Sequence, residues 1–227
     1  MIADGCRMAW VVGCEACGLR LAVGEPGPWC AGCGPGATVP RSVLPVEGLG
    51  PVVARYVYGG PVIAALTRWK GGHAPHAANW RPLVGDLSKQ VVSDHACLVA
   101  VAPQLQRLAQ RGMHLPDLYS QALARSPDNH WFWPRNRLEV ALALSRSDHS
   151  EVRRVDRAGA PEFVARSPRG RQQIAWLVDD VVTSGVTLLT AATALRQAGW
   201  QVAGALVLAD ARPQALAMAL ADKGIQS

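Results

Sequence analysis

Short runs of apolar residues, each bounded by polar residues or glycine, recur along this chain and predict buried β-strands. They cover residues 52–58, 97–102, 174–178 and 201–209. The run at 174–178 is too short to form a helix and is bounded by polar and charged residues. These runs therefore predict the strands of a buried sheet.

Between these runs, apolar residues recur at the three- and four-residue spacing of an α-helix. This spacing predicts helices over residues 62–69, 75–92, 115–123 and 188–195, a C-terminal cap at Gly199, and a last helix beginning at Pro213. Alternating strands and helices indicate an α/β domain, with a mostly parallel sheet flanked by helices. In such sheets, ligands bind beyond the carboxyl ends of the strands.

The composition is typical of a globular protein. The chain has 227 residues, which at about 150 residues per domain allows a domain and a smaller appendage. Apolar residues make up 49% and charged residues 18%, which excludes a disordered or fibrous chain. No apolar run is long enough for a membrane span, and the first residues do not resemble a secretory signal. We therefore expect a soluble, cytoplasmic protein.

The formal net charge is +6, and most of the 23 basic residues are arginine. Guanidinium groups form bidentate contacts with phosphate, so a phosphorylated ligand or a nucleic acid is compatible with this charge. A general preference for arginine in the source organism explains the same composition equally well. The charge therefore permits a phosphate-binding function without indicating one.

Four of the six cysteines form two C-x-x-C-G motifs: Cys14, Cys17 and Gly18, then Cys30, Cys33 and Gly34. Two such motifs at this separation can bring four thiolates to one tetrahedral, structural Zn²⁺. We expect each glycine to adopt a positive φ that directs backbone N–H groups toward the sulfurs. Disulfides are disfavoured by the lack of a secretory signal, and a redox motif by its duplication without a preceding strand. Cys97 opens an apolar run and is expected to be a buried thiol.

Residues 35–50 are rich in proline and glycine, which predicts a linker. We place the domain boundary near residue 46. Residues 1–45 would form a zinc-ribbon-like cysteine module with its linker, and residues 46–227 the α/β domain. Metal binding would supply the folding free energy of the module, which is too short for a hydrophobic core.

The strand at 174–178 is followed by two adjacent carboxylates, Asp179 and Asp180, and then by a loop that opens a helix. The first N–H groups of a helix lack internal partners and carry a positive partial charge, so they bind phosphate. The loop adds hydroxyl groups and a glycine that allows close approach of an anion; its residues are Thr183, Ser184, Gly185, Val186 and Thr187. The carboxylates would repel phosphate but can accept hydrogen bonds from sugar hydroxyls. A sugar phosphate satisfies both halves of the motif.

An ordinary helix cap formed by Asp180 and Thr183 explains part of this pattern. It does not explain a doubled acid at the end of a buried strand. The motif therefore favours a sugar-phosphate site.

Residues 177–187 resemble the phosphoribosyl pyrophosphate signature of type I phosphoribosyltransferases. The chain as a whole resembles the ComF-like branch of that family, whose members carry a cysteine zinc module before the transferase-like domain. Residues 56–71 and 101–112 resemble two further stretches of the family. Together with the cysteine module, these matches span most of the chain.

The resemblance implies a role for each matched position. Asp179 and Asp180 would hold the ribose hydroxyls, residues 183–187 would surround the 5′-phosphate, and three cations would contact the ligand, namely Lys70, Arg107 and Arg111. Mg²⁺ would bridge pyrophosphate and ribose oxygens. The reaction would break the bond from C1 to pyrophosphate through a cation-like sugar, without a protein nucleophile. For Lys70, a solvated helix end is the alternative interpretation.

The chain departs from the family at three places. It has Ala102 where the family usually has Pro, and Met113-His114-Leu115 where the family has Phe-Asn-Gln. Residues 145–163 also lack the Gln and Asn that the family tends to carry. Two functions are therefore open. The chain is either a phosphoribosyltransferase with an unknown acceptor, linked through its family to natural competence, or a non-enzymatic sensor or scaffold. The second would contact single-stranded DNA or DNA-uptake proteins through the cysteine module and residues 135–171, an arginine-rich segment for which a solvated loop is the simpler interpretation.

Overall fold

The computed structural model describes residues 13–21, 27–34, 37, 43–76, 79, 83–84, 87, 96–103, 105–124, 139–140, 144–146, 163–169, 173–215 and 217. In this part of the chain the main element is a six-stranded sheet in the order β1-β2-β8-β7-β3-β4. Its strands are β1 Val43–Val46, β2 Gly50–Val57, β3 Ala96–Ala100, β4 Glu139–Val140, β7 Ile174–Val182 and β8 Gln201–Asp210. Strand β1 pairs antiparallel with β2, and all the other neighbours are parallel. Two short strands, β5 Leu144–Arg146 and β6 Phe163–Ala165, form a separate antiparallel pair.

Four helices accompany the sheet in the described residues: α1 Gly60–Lys70, α2 Leu105–Arg111, α3 Leu115–Ala124 and α4 Val186–Gln197. Successive side chains of a strand point to opposite faces, so neighbouring residues of β7 enter different cores. Trp176 and Val178 pack in a cluster that includes residues of α1 and α3, whereas Ala175 and Leu177 pack with α4. The sheet is therefore covered by helices on both faces, as the alternation of elements predicts.

The predicted strands at 52–58, 97–102, 174–178 and 201–209 are confirmed as β2, β3, β7 and β8, with shifted ends. Strand β7 continues four residues past the predicted end, because its pairing with β8 extends to Val182 and Asp210. Asp179 and Asp180 consequently lie inside the last part of the strand. The cap of α4 is also confirmed: Gly199 has φ +96° and the amide of Trp200 donates to the Leu195 carbonyl at 3.0 Å.

The prediction of a linker over residues 35–50 is wrong for its second half. Residues 43–46 form strand β1 and residues 47–49 the turn to β2. The exposure of β1 alternates along the strand, as at a sheet edge with one face toward solvent. The predicted helix at 75–92 lies largely outside the described residues, as does most of the arginine-rich segment. At Pro213 the described residues 213–215 are helical.

No helix of the described residues is both long and apolar enough to cross a membrane.

Candidate functional site

Strand β7 carries the acidic pair into the carboxyl end of the parallel sheet. Both side chains are partly buried, and the backbone N–H of Asp180 donates to Oδ1 of Asp179 at 2.8 Å. Lys70, the last residue of α1, reaches the same point, with its Nζ 2.8 Å from Oδ2 of Asp180. The pair therefore consists of one carboxylate neutralised by a lysine and one without a cationic contact at this distance in the described residues.

Burial raises the pKa of Asp179 well above its ordinary value, and the charge of Asp180 adds to this effect. The amide of Asp180 and the charge of Lys70 act in the opposite direction. A carboxyl with a raised pKa is poorly solvated when ionised. Donors that arrive with a ligand, such as sugar hydroxyls, would therefore stabilise its charged form.

The loop after β7 depends on Gly185, which caps α4 in the left-handed region with φ +80°. A Cβ at this position would lie 2.8 Å from Cγ2 of Val46 on β1. Both the backbone conformation and the close approach of β1 therefore require glycine here. Thr183 and Ser184 are exposed beside it.

The amides at the start of α4 are available to a ligand. The N–H of Val186 has a long contact to Oγ of Ser184, at 3.4 Å. The N–H groups of Gly185, Thr187 and Leu188 have no acceptor among the described residues. Because α4 has 12 residues, its dipole adds a positive partial charge to these donors.

A cleft of about 230 Å³ opens at the acidic pair. Its walls come from the end of α1, the segment after β3, the α2–α3 connection, the end of β7 and the start of α4. The side chains in it that carry chemistry are Lys70, Arg111, His114, Asp179, Asp180 and Thr187. Elements distant in sequence thus bring two cations, two acids, an imidazole and a hydroxyl to one cavity.

The predicted site residues do not all line this cleft. Ser184, Gly185 and Val186 line a second cavity of about 670 Å³, with β1 as one wall, and Thr183 lines neither. The loop thus borders two cavities instead of enclosing one phosphate with all five residues. Arg107 lies in α2, but its side chain is outside the described residues.

His114 lines the cleft although the sequence did not single it out as a site residue. Burial lowers the pKa of its imidazole below 6.5, while the charge of Asp117, a hydrogen bond to the Val101 backbone and the charge of Asp180 oppose this shift. The one feature of the sequence that could have pointed to His114 is its position two residues after Arg111-Gly112. That position does not reveal burial or the distance to Asp180.

The four paired cysteines form a second candidate site. None of the four forms a disulfide, and their sulfur atoms all lie within 4.8 Å of one another. The sulfurs of Cys17 and Cys30 are 3.7 Å apart, and a tetrahedral Zn²⁺ with Zn–S bonds of about 2.3 Å requires about 3.8 Å between sulfurs. The cluster therefore fits a structural zinc ion.

Within the cysteine cluster, the thiol of Cys14 has a lowered pKa. Its burial opposes ionisation, but the backbone N–H groups of Cys17, Cys30 and Ala16 outweigh this and lower its pKa to about 7. Burial and the neighbouring thiols raise the pKa of Cys33 to about 12. Gly18 has the expected positive φ, at +76°, whereas Gly34 does not, so that expectation is wrong for the second motif.

Glu15, between the first two cysteines, attaches the cysteine cluster to the α/β domain. Its buried carboxylate accepts hydrogen bonds from the indole of Trp69 at 2.7 Å, the side chain of Asn79 at 2.6 Å and the amide of His76 at 2.9 Å. The guanidinium of Arg68 donates to the carbonyls of Cys14 and Glu15, at 3.1 and 3.2 Å. The last turn of α1 therefore contacts the cluster through Arg68 and Trp69 and the cleft through Lys70.

No protein-family model and no curated protein sequence matches this chain.

Proposed function

We propose that this protein binds phosphoribosyl pyrophosphate together with Mg²⁺ and belongs with the ComF-like, type I phosphoribosyltransferase-like proteins. The observation that carries the proposal is the convergence at the end of β7. Two acids and two cations line one cleft together with Thr187, and the open amides at the N-terminus of α4 lie between this cleft and the neighbouring cavity. Hydroxyl groups match the two acids, and phosphate groups match the cations and the amides. A ligand that carries both kinds of group therefore fits this site better than a neutral or singly charged molecule.

Each part of the ligand has a chemically matched partner. The 2′- and 3′-hydroxyls donate to the carboxylates of Asp179, which has no cationic contact among the described residues, and of Asp180, which then no longer holds Lys70. The 5′-phosphate accepts from the amides of residues 185–188 and from Thr187. The pyrophosphate lies toward Arg111 and Lys70, and Lys70 then exchanges its contact with Asp180 for a phosphate oxygen.

We propose that Mg²⁺ binds as part of the substrate. Among the described residues, the only group of three or more side chains able to hold a metal is the cysteine cluster. The acidic pair offers two carboxylates, and Mg²⁺ commonly completes its coordination with phosphate oxygens and water. The ion therefore arrives on the pyrophosphate.

The cysteine cluster is proposed to hold zinc as a structural ion, closed by four sulfurs. A link to natural competence, and contacts with single-stranded DNA or DNA-uptake proteins, follow from the family resemblance and the arginine-rich segment alone.

Titration calorimetry with phosphoribosyl pyrophosphate and Mg²⁺ tests the proposal. We expect binding by the wild type and at least tenfold weaker binding by Asp179→Asn/Asp180→Asn, because a hydrogen bond to a charged group contributes about 1.5–3 kcal/mol. Asp117→Asn is the matched control, since this acid lies on α3 and does not line the cleft. Equal affinity in the wild type and the double variant, or no binding by the wild type, contradicts the proposal.

A further inference from the structure

We propose that the protein is an enzyme in which His114 accepts the proton of the nucleophile that attacks C1 of the bound ribose. The inference rests on the proposed binding of phosphoribosyl pyrophosphate and goes beyond it to turnover. It assigns the acceptor to the class of molecules that lose an N–H or O–H proton in the reaction. Water is the simplest member of this class.

The position of His114 is set by the connection between α2 and α3. It lies just before α3, and its carbonyl accepts from the amide of Leu118 at 3.1 Å, which fixes its backbone to the helix. From there its side chain lines the same cleft as Asp179 and Asp180. Since these acids are the proposed ribose ligands, the imidazole borders the space in which C1 reacts.

The Val101 backbone opposes the effect of burial on the pKa of His114, as a carbonyl that accepts from a ring N–H does, and we infer that the neutral ring is the tautomer that keeps this N–H. In the neutral ring the other nitrogen then carries a lone pair. Because burial favours the neutral ring, this lone pair is free to accept a proton near neutral pH.

The charged groups around His114 come from four elements, α1, α2, α3 and β7. Asp117 on α3 and Asp180 on β7 favour the imidazolium. Asp179 lies beside Asp180, whereas Lys70 and Arg111 line the cleft as cations and would contact the pyrophosphate of the proposed ligand. The acids therefore stabilise the imidazolium as it forms, while the cations stabilise the leaving group.

The acids themselves are less suited to act as the base. Asp180 is paired with Lys70 at 2.8 Å, and Asp179 accepts the Asp180 amide. In the bound state both are engaged by the ribose hydroxyls. Among the described side chains of the cleft, His114 is the remaining neutral base.

The proposed step is balanced without a redox partner. A lone pair on the acceptor nitrogen or oxygen forms a bond to C1, and the bond from C1 to the pyrophosphate oxygen breaks with its electron pair on pyrophosphate. The acceptor proton moves to the free ring nitrogen of His114. The imidazolium later returns the proton to solvent.

The test measures pyrophosphate release from phosphoribosyl pyrophosphate and Mg²⁺ with water as the acceptor, alongside calorimetric binding. For His114→Gln we expect release at least about 100-fold slower than wild type, with affinity for the ligand within about twofold. The wild-type rate should fall in acid with a midpoint below 6.5, the ordinary value for histidine, and the midpoint should change in the variant, where the acidic pair titrates without the imidazole. His73→Gln, at an exposed histidine outside the cleft, should behave as wild type.

The two measurements distinguish a failure of ligand binding from a failure of pyrophosphate release. Unchanged release and pH profile in His114→Gln, or a wild type that binds the ligand but releases no pyrophosphate, would overturn the role of His114 while leaving the binding proposal intact. A wild type that does not bind removes both proposals. His114→Ala provides a second variant: added imidazole should restore part of its release rate, and failure to do so counts against proton transfer.

Discussion

Among single residues, Asp179 is the acid of the proposed site whose charge is most poorly solvated, because it lies partly buried beside Asp180 and has no cationic contact among the described residues. Burial and the neighbouring Asp180 raise its pKa well above the ordinary value. Such a group is costly to the folded state and is typical of functional sites. Its energetic signature can be measured without any ligand.

We expect Asp179→Asn to increase the free energy of unfolding at pH 7.5 and to lose this advantage as the pH falls toward 4. The folded state retains a proton on Asp179 above the pH at which the unfolded chain loses it, so wild-type stability declines as pH rises through that range. The variant should be more stable than the wild type at pH 7.5 and the two should converge at low pH, because a raised pKa in the folded state means that ionisation costs folding free energy. Urea unfolding at both pH values, with Asp117→Asn as control, measures this difference, and a loss of stability at pH 7.5 would be the contrary result.

Gly185 gives a second prediction at this scale. Gly185→Ala should lower the free energy of unfolding by about 1–3 kcal/mol, because alanine must adopt a positive φ there. Its Cβ would also contact Val46 at 2.8 Å. In a Val46→Ala background the loss should become smaller without disappearing, as the backbone cost persists. A loss unaffected by Val46→Ala would show that the close approach of β1 does not matter.

At the scale of elements, the last turn of α1 joins the two candidate sites. Glu15→Ala removes the acceptor of three donors, and we expect it to lower the free energy of unfolding by about 1–3 kcal/mol because buried donors lose their partner. Glu47→Ala, at an exposed turn, should change it by less than about 0.5 kcal/mol. Equal effects in denaturant unfolding would mean that Glu15 does not hold the cysteine cluster to α1.

The sequence predicts elements well where burial is continuous and poorly where it is not. Strands β2, β3, β7 and β8 stand out because their central residues are apolar. Strand β1 was missed, since it is short, alternates in exposure and lies in a segment rich in proline and glycine. Its place is set by pairing with β2, a tertiary effect that local composition does not report.

In the candidate site as well, the sequence identifies local motifs but not the contacts between distant segments. The motif at residues 179–187 and the four cysteines identify chemistry by spacing within short segments. The contact of Lys70 with Asp180 and the place of His114 in the cleft depend on segments far apart in the chain. The docking role of Glu15 likewise requires its partners on α1 and beyond. Such contacts follow from tertiary packing, which the sequence pattern leaves open.

At the scale of the whole molecule, the cysteine cluster should carry one zinc ion per chain and contribute to stability. Cys30→Ser should abolish zinc retention, because it removes one of four ligands that lie within 4.8 Å of one another. Cys97→Ala, at a buried cysteine of the α/β core, should retain the ion. Metal content of the purified proteins by mass spectrometry decides this, and retention of zinc by Cys30→Ser would contradict the four-cysteine site.

A crystal structure with phosphoribosyl pyrophosphate and Mg²⁺ would show whether the junction of β7 and α4 binds a phosphorylated pentose. We expect the 5′-phosphate within hydrogen-bonding distance, about 2.7–3.2 Å, of the amides of residues 185–188. The ribose hydroxyls should lie on Asp179 and Asp180, with Lys70 moved from Asp180 to the pyrophosphate. A ligand bound elsewhere, with the contact between Lys70 and Asp180 intact, would contradict the account.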